Sequence, residues 1–422
     1  MKTYSFPYGS TYVDFALDES RVVAELEMTK QPVITNPKEE ILKALNHPID
    51  AKPLKELIRP GETVTIIAND ATRVANTHVF MPLLIQYLYE IGISDEHITI
   101  LFALGAHREM TREEMIHEVG ETIGERIRLV NSNATKTSDF VYVGTTSFGT
   151  PVHLHRCAVE ADHIICTGSV VHHFFAGFGG GRKAILPGIS SYETIRKNHS
   201  LMLHENAVIG QLEGNPIYED QLEGVAFHPP TFLLNVVLNE HNEFTGIFAG
   251  HYITAHKRAC EFVDAQNGVV IKERAPIVIA STGGYPKDIN IYQTQKTMDN
   301  AVKAVKPGGC IILLAECREG SGSAIFDETI HRFHSIQAIE DSVRADFQIG
   351  RHKAYAVTRL MKQAEFLLLS NLTDSYAKEA FFSPVHSMEE ALHRANEKMG
   401  CDAPIILMPH GAYTVPIVKS KN

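Results

Sequence analysis

One alternation runs through the chain and limits what it can fold into: a short aliphatic or β-branched run, a polar loop, then a segment with apolar residues at helical spacing. Val64-Thr65-Ile66-Ile67-Ala68 is the first clear run and ends at Asn69-Asp70. From His78 to Glu90 the apolar positions recur at helical intervals, with Gly92 as a stop. His97 to Phe102 reads as the next strand, closing at Gly105, and Thr111 with Glu114 reads as a capping box that opens a helix. His163-Ile164-Ile165-Cys166 is a third strand, followed by a glycine-rich loop. Ser190 with Glu193 reads as the capping box of a helix carrying His199. A strand-rich middle, Thr231 to Asn239, and a helix near 253–265 lead to a restart. There Pro276 to Ala280 is a buried-type strand ending in Gly283-Gly284. A helix then runs to about Val305, Pro307-Gly308-Gly309 stops it, and Cys310 to Leu314 is the next strand. Ser387 with Glu390 caps a helix ending at Gly400, and Pro404-Ile405-Ile406-Leu407 is the last strand.

Strands separated by crossover helices run parallel, so the expected class is α/β, with mostly parallel, doubly wound sheets. The restart near 275 divides the chain into two α/β domains, 1–272 and 273–422, with the active site expected in the cleft between them. The last ~20 residues are able to return to the first domain. In open sheets of this kind ligands bind beyond the carboxyl ends of the strands, so the loops after strands carry the functional information.

Composition narrows the partners. The chain has 422 residues, 44% of them hydrophobic, enough for two domains with their own cores. A net charge of −11 argues against nucleic acid or an anionic membrane as a partner. An anionic substrate would need local Arg and Lys to overcome that field. No stretch reads as a signal peptide, and no run approaches the ~20 apolar residues that span a bilayer. The six cysteines are scattered with no C-x-x-C pair, as expected of buried thiols in a reducing cytoplasm.

Four strand-end loops carry unusual residues. In Asp70-Ala71-Thr72-Arg73 the arginine could fork onto a carboxylate, or Asp70 could cap the next segment with Arg73 as its ion-pair partner. In Gly105-Ala106-His107-Arg108 the histidine has the ordinary pKa of a general acid or base, though it is one of 22 in the chain. The richest loop is His172-His173-Phe174-Phe175-Ala176-Gly177-Phe178-Gly179-Gly180-Gly181-Arg182-Lys183. It fails the P-loop pattern, because Arg182 stands where the second glycine is required and Ala184 follows Lys183. It also fails the dinucleotide fingerprint at Arg182. So many glycines beside Arg and Lys point to close approach of backbone to a ligand. In Tyr292-Gln293-Thr294-Gln295-Lys296 the tyrosine and second cation lie four apart and would share a helix face. Neither an H-E-x-x-H nor a G-x-S-x-G motif occurs.

Taken together, Asp70-x-x-Arg73, Gly105-x-His107-Arg108, the His173…Gly180-Gly181-x-Lys183 loop, Pro187-Gly188, Thr194…Asn198-His199 and Tyr292-Gln293-x-x-Lys296 resemble the lactate racemase family. The resemblance runs from about Tyr8 to Pro416. It implies a racemase or epimerase that inverts C2 of a small 2-hydroxy acid. It also implies a nickel pincer nucleotide, a pyridinium thioamide and thiocarboxylic acid mononucleotide made by dedicated biosynthesis proteins and attached covalently at Lys183. On the same grounds His199 would be the nickel ligand from the protein, and His107 and His173 the acid/base pair. Asp70, Thr72, Gly180 and Gly181 would hold the cofactor. Arg73, Tyr292, Gln293 and Lys296 would lie at the substrate or the cofactor phosphate. The chain departs from relatives at Asn131-Ser132-Asn133, at Gly320-Ser321-Gly322 and in having no tryptophan. These departures leave the substrate open between lactate and a larger, polar or branched 2-hydroxy acid. Two rivals are an NAD-dependent 2-hydroxy acid dehydrogenase, which needs the missing fingerprint, and a non-catalytic nickel-cofactor carrier, which would not need the two histidines.

Overall fold

The computed structural model describes residues 1–418 apart from Met28 and Lys30. The chain forms two compact units, Gln31–Asp264 and the combination of Met1–Lys30 with Ala265–Asn422.

The middle unit, Gln31–Asp264, is built on a six-stranded sheet. Its order is Phe244–Gly250, Phe232–Leu238, His163–Ser169, Val64–Asn69, Ile98–Ala103, Arg128–Asn131. All neighbours are parallel except the edge strand Phe244–Gly250. The central strands are uninterrupted apolar runs because both faces are covered. Ile66, Ile100, Ile165 and Leu234 enter one core, whereas Ile67, Leu101, Cys166 and Leu233 enter the other. The helix Thr77–Ile91 packs its apolar stripe, including Phe80, Leu84 and Leu88, into the first core. Each fully buried side chain of this size contributes about 1.5–3 kcal/mol. Gly92 ends that helix at φ +96°, where a residue with a side chain would be strained. Thr111 and Glu114 form the expected capping box. The helix carrying His199 begins one residue later than expected. Ser191, not Ser190, accepts from the Thr194 amide, and the Ser190 hydroxyl is used by the Ile185 carbonyl.

The other unit has a second six-stranded sheet, all parallel: Ser383–Val385, Ala364–Leu369, Val305–Leu314, Ala275–Ser281, Ile405–Met408, Val22–Glu25. Its edge strand comes from the start of the chain. The hairpin Lys2–Tyr8/Thr11–Leu17 likewise buries Tyr4, Phe6, Phe15 and Leu17 against Ile277, Ile312 and Ile405. Residues 1–30 therefore belong with the C-terminal half, where a boundary at 272 had put them with the middle. Val415–Val418 pairs with Gly268–Ile271 within this same unit, so the described end of the chain stays there; residues 419–422 lie outside the described residues. Among the described residues no helix is long and apolar enough to cross a membrane.

Candidate functional site

In the middle unit His163–Ser169, Val64–Asn69 and Ile98–Ala103 lie side by side and parallel, so the loops that follow them leave the sheet at one edge. Asn69 is in register with Ala103, which brings Asp70 and His107 off the same end of the sheet. Asp70 is buried, and its Oδ2 lies 2.6 Å from Nδ1 of His107. Its Oδ1 accepts the backbone N–H of Thr72 at 2.7 Å and the Thr72 hydroxyl. Burial pushes the Asp70 carboxyl pKa up, but the hydrogen bonds from His107 and Thr72 more than offset this and hold it below the usual carboxylate range. A carboxylate only accepts hydrogen bonds, so a neutral His107 ring carries its proton on Nδ1 and its lone pair on Nε2. Asp70 thus closes a local turn through the Thr72 amide, and its side-chain partner is His107 rather than Arg73.

The glycine loop begins as a small hairpin in which His172–His173 pairs with Gly177–Phe178. Gly180 and Gly181 follow with φ of +72° and +56°. A Cβ on Gly180 would lie 2.9 Å from the Asn235 Oδ1, and one on Gly181 would lie 2.5 Å from the His256 ring. Both glycines are thus demanded by the packing of the loop on its own unit. Arg182 is buried beneath the loop. Its Nη2 donates to the Ala176 carbonyl at 2.8 Å and its guanidinium sits 4.4 Å from the Tyr218 ring centroid. Burial lowers its pKa to about 10. Lys183 is held well below the ordinary lysine range, first by loss of solvation and then by repulsion from Arg182 and Arg73. An unprotonated amine is a nucleophile.

Phe175, which the sequence did not single out, is where three of the expected residues meet. Its ring centroid is 4.5 Å from that of His173 and 5.0 Å from that of His199, and the Lys183 Nζ is 5.6 Å away. Each comes from a different local element: the hairpin, the turn Gly181–Ala184, and the helix Tyr192–Ser200. The Nδ1 of His173 accepts from the Ala176 amide at 3.3 Å, and Nδ1 of His199 lies 3.3 Å from Asn198 Oδ1. Ser132, in the Asn131-Ser132-Asn133 segment, is fully buried. It accepts from the Leu104 amide at 3.1 Å and donates to the Gly188 carbonyl at 2.9 Å, tying the His107 loop to the end of the lysine loop. Among the described residues no three His, Cys, Asp or Glu side chains converge as a metal site.

In the other unit, Asn290 caps the helix Ile291–Ala304 through the Gln293 amide at 2.9 Å. Tyr292 and Lys296 are both exposed on one face of it, as their spacing required. The carbonyls of Gly320 and Ser321 accept the Ile291 and Tyr292 amides at 3.1 and 3.0 Å, so the Gly320-Ser321-Gly322 segment fixes the helix start. Lys353, also missed from sequence, is nearly buried with its ammonium 3.9 Å from the Tyr292 ring centroid.

An imidazole held by a buried carboxylate on the strand-end loops of an α/β sheet is an arrangement chemically able to move protons, as the active sites of α/β enzymes require. Comparison narrows the class. Residues 8–210 match the lactate racemase N-terminal domain and residues 270–416 the lactate racemase C-terminal domain. The lactate racemase of Thermoanaerobacterium thermosaccharolyticum is 32% identical over 98% of this chain and 99% of its own length. That of Lactiplantibacillus plantarum is 31% identical over 97% and 99%. The apoprotein structure of the Thermoanaerobacterium enzyme superposes with a TM-score of 0.89 at 31% identity, covering 99% of this chain and 100% of that one. A Thermotoga maritima protein of 18% identity shares the fold with a TM-score of 0.65, over 93% and 100% of the two chains. The chain belongs to the lactate racemase family and is an isomerase of the racemase kind.

Proposed function

We propose that the chain inverts C2 of a 2-hydroxy acid with a nickel pincer nucleotide attached at Lys183 and nickel-ligated by His199. The observation that most supports this is the meeting of Lys183, His173 and His199 around Phe175, with burial holding the Lys183 amine well below the ordinary lysine range. The donor chemistry fits the group. A neutral amine is the form that condenses with an acyl or thioacyl carbon, and a neutral imidazole is the form that ligates nickel.

When bound, the group supplies a hydride acceptor and donor for C2. The protein's own part is proton transfer and orientation. His107, with Nδ1 tied to Asp70, takes the 2-hydroxyl proton at Nε2, and the buried carboxylate stabilises the imidazolium that forms. We assign the matching step on the opposite face to His173, because inversion at one carbon needs a base on each side; its contact with the Ala176 amide, which occupies Nδ1, has to give way for Nε2 to accept a proton. Arg73, Tyr292, Gln293 and Lys296 are the proposed anchors for the substrate carboxylate or the cofactor phosphate, and Asp70, Thr72, Gly180 and Gly181 for the cofactor.

The test is the mass of the Lys183 peptide from protein made together with a nickel-pincer biosynthetic pathway, followed by a chiral screen of 2-hydroxy acids. A nucleotide-sized adduct with nickel in the intact protein, and racemisation lost in His107→Ala combined with His173→Ala, are expected. An unmodified Lys183 in a host that loads a known lactate racemase would remove the basis of the proposal.

A further inference from the structure

A buried carboxylate that the acid/base reading does not use lies behind His199. Asp220, on the helix Pro216–Ala226, is fully buried. Its Oδ1 accepts the Thr146 hydroxyl, and its Oδ2 accepts the Thr150 hydroxyl at 2.9 Å and Nδ2 of Asn198 at 2.7 Å. Asn198 is also fully buried. Its Nδ2 donates a second bond to the Ile217 carbonyl at 3.3 Å, and its Oδ1 accepts from Gln221 at 3.1 Å. That same Oδ1 faces Nδ1 of His199 at 3.3 Å.

These contacts run one way only. A carboxylate and a backbone carbonyl only accept, so the Asn198 amide must turn its NH2 toward them and its oxygen toward His199. An amide oxygen also only accepts, so Nδ1 of His199 must carry the proton. The Nε2 lone pair is then the one left for a metal.

We propose that Asp220 is a positioning residue that acts through Asn198 to fix His199 as the Nδ1–H tautomer, with Nε2 as the donor to a soft or borderline divalent cation. The metal itself rests on the function proposed above; the tautomer does not. Neutral imidazole left to itself exchanges between two tautomers, and only one of them presents Nε2 for ligation. A carboxylate placed one residue behind the ligand selects it before the metal arrives, as outer partners of metal-bound histidines do.

The experiment is nitrogen NMR of histidine-labelled apoprotein at about pH 8, where free imidazole is neutral, with His199 assigned by its loss in His199→Gln. The wild type should show a protonated Nδ1 and an unprotonated Nε2 at His199, and Asp220→Asn should move population toward the Nε2–H form. In protein carrying the Lys183 adduct, confirmed by mass, Asp220→Asn should lower nickel affinity about 10–100-fold in competition with a chelator. A wild-type His199 protonated on Nε2 would overturn the proposal without any variant. So would an Asp220→Asn protein, folded by circular dichroism, with an unchanged tautomer and unchanged nickel retention. An unmodified Lys183 in the wild type would overturn the function proposed above and leave the tautomer result standing.

Discussion

A single methyl group added at Gly181 meets two separable obstacles. The φ of +56° is the first, and a residue with a side chain adopts it at a cost of about 1–2 kcal/mol. The second is steric: an ideal Cβ would lie 2.5 Å from Cγ and Cδ2 of His256. That imidazole is 2% exposed and its Nε2 lies 2.9 Å from the Gly179 carbonyl, so it cannot swing aside without losing a buried hydrogen bond. Overpacking of this kind costs about 1–3 kcal/mol. Gly181→Ala is therefore expected to lower the unfolding free energy by about 2–5 kcal/mol, read from urea denaturation at neutral pH. His256→Ala alone should also destabilise, by about 2–5 kcal/mol, through a cavity and a lost hydrogen bond. In the double variant the clash is gone, leaving the backbone cost at position 181 together with the cost of His256→Ala. It should be less destabilised than the sum of the singles by about 1–3 kcal/mol. Singles that add to within about 0.5 kcal/mol would refute the steric account, and a Gly181→Ala protein as stable as the wild type would refute both parts.

Burial pushes His256 down to about 3 and His352 to about 4, so between those values and the ordinary 6.5 the unfolded chain binds more protons than the folded one. Stability is then complete above about pH 6.5 and falls on acidification; His256→Gln should remove about 1.4 kcal/mol per pH unit of that slope, measured by urea titrations from neutral to acid pH. The depressed Lys183 amine has the same sign in another window: wild-type stability should climb with pH toward the ordinary lysine range, and Lys183→Met should flatten the climb in denaturation curves on the alkaline side. Asp70→Asn replaces an acceptor with a group that can donate to Nδ1 of His107 and reverse its tautomer, so kcat for racemisation by the loaded enzyme should fall about 10²–10⁴-fold. An unchanged rate would show that His107 needs no orienting carboxylate.

The sheets were legible because their central strands are buried on both faces and read as plain apolar runs, as in Val64–Asn69 and Ala275–Ser281. Capping chemistry located the helix starts at Thr111 and Ser387, and missed by one at Ser190 because two serines are adjacent there and only the fold decides which faces the Thr194 amide. The N-terminal strand Val22–Glu25 was invisible: it is short, and its membership comes from Ile405 at the far end of the chain. Among the site residues, His107, Lys183 and His199 stood out through local motifs. Phe175 did not, since an aromatic residue in a loop reads as core until its neighbours are known. Asp220 did not either, because it is tied by hydrogen bonds to Thr146 and Asn198, segments far apart in sequence that no local pattern connects. Lys353 lies in the first turn of the helix Arg351–Thr358, where a lysine reads as a solvated helix start, and only its approach to Tyr292 marks it.

The pairing of Val22–Glu25 with Ile405–Met408 sets an order of events during synthesis. Residues 31–264 carry a complete sheet and both of its cores, so they can close as soon as they leave the ribosome. The first 30 residues cannot. Their apolar side chains, Phe6 and Phe15 among them, wait for partners at Ile277, Ile312 and Ile405, all of which are made after residues 31–264. Truncation a few dozen residues before the C-terminus should therefore expose a segment at the opposite end of the chain. A protease that cuts near Phe6 or Phe15 in such a fragment, and leaves residues 31–264 whole, would make that delay visible.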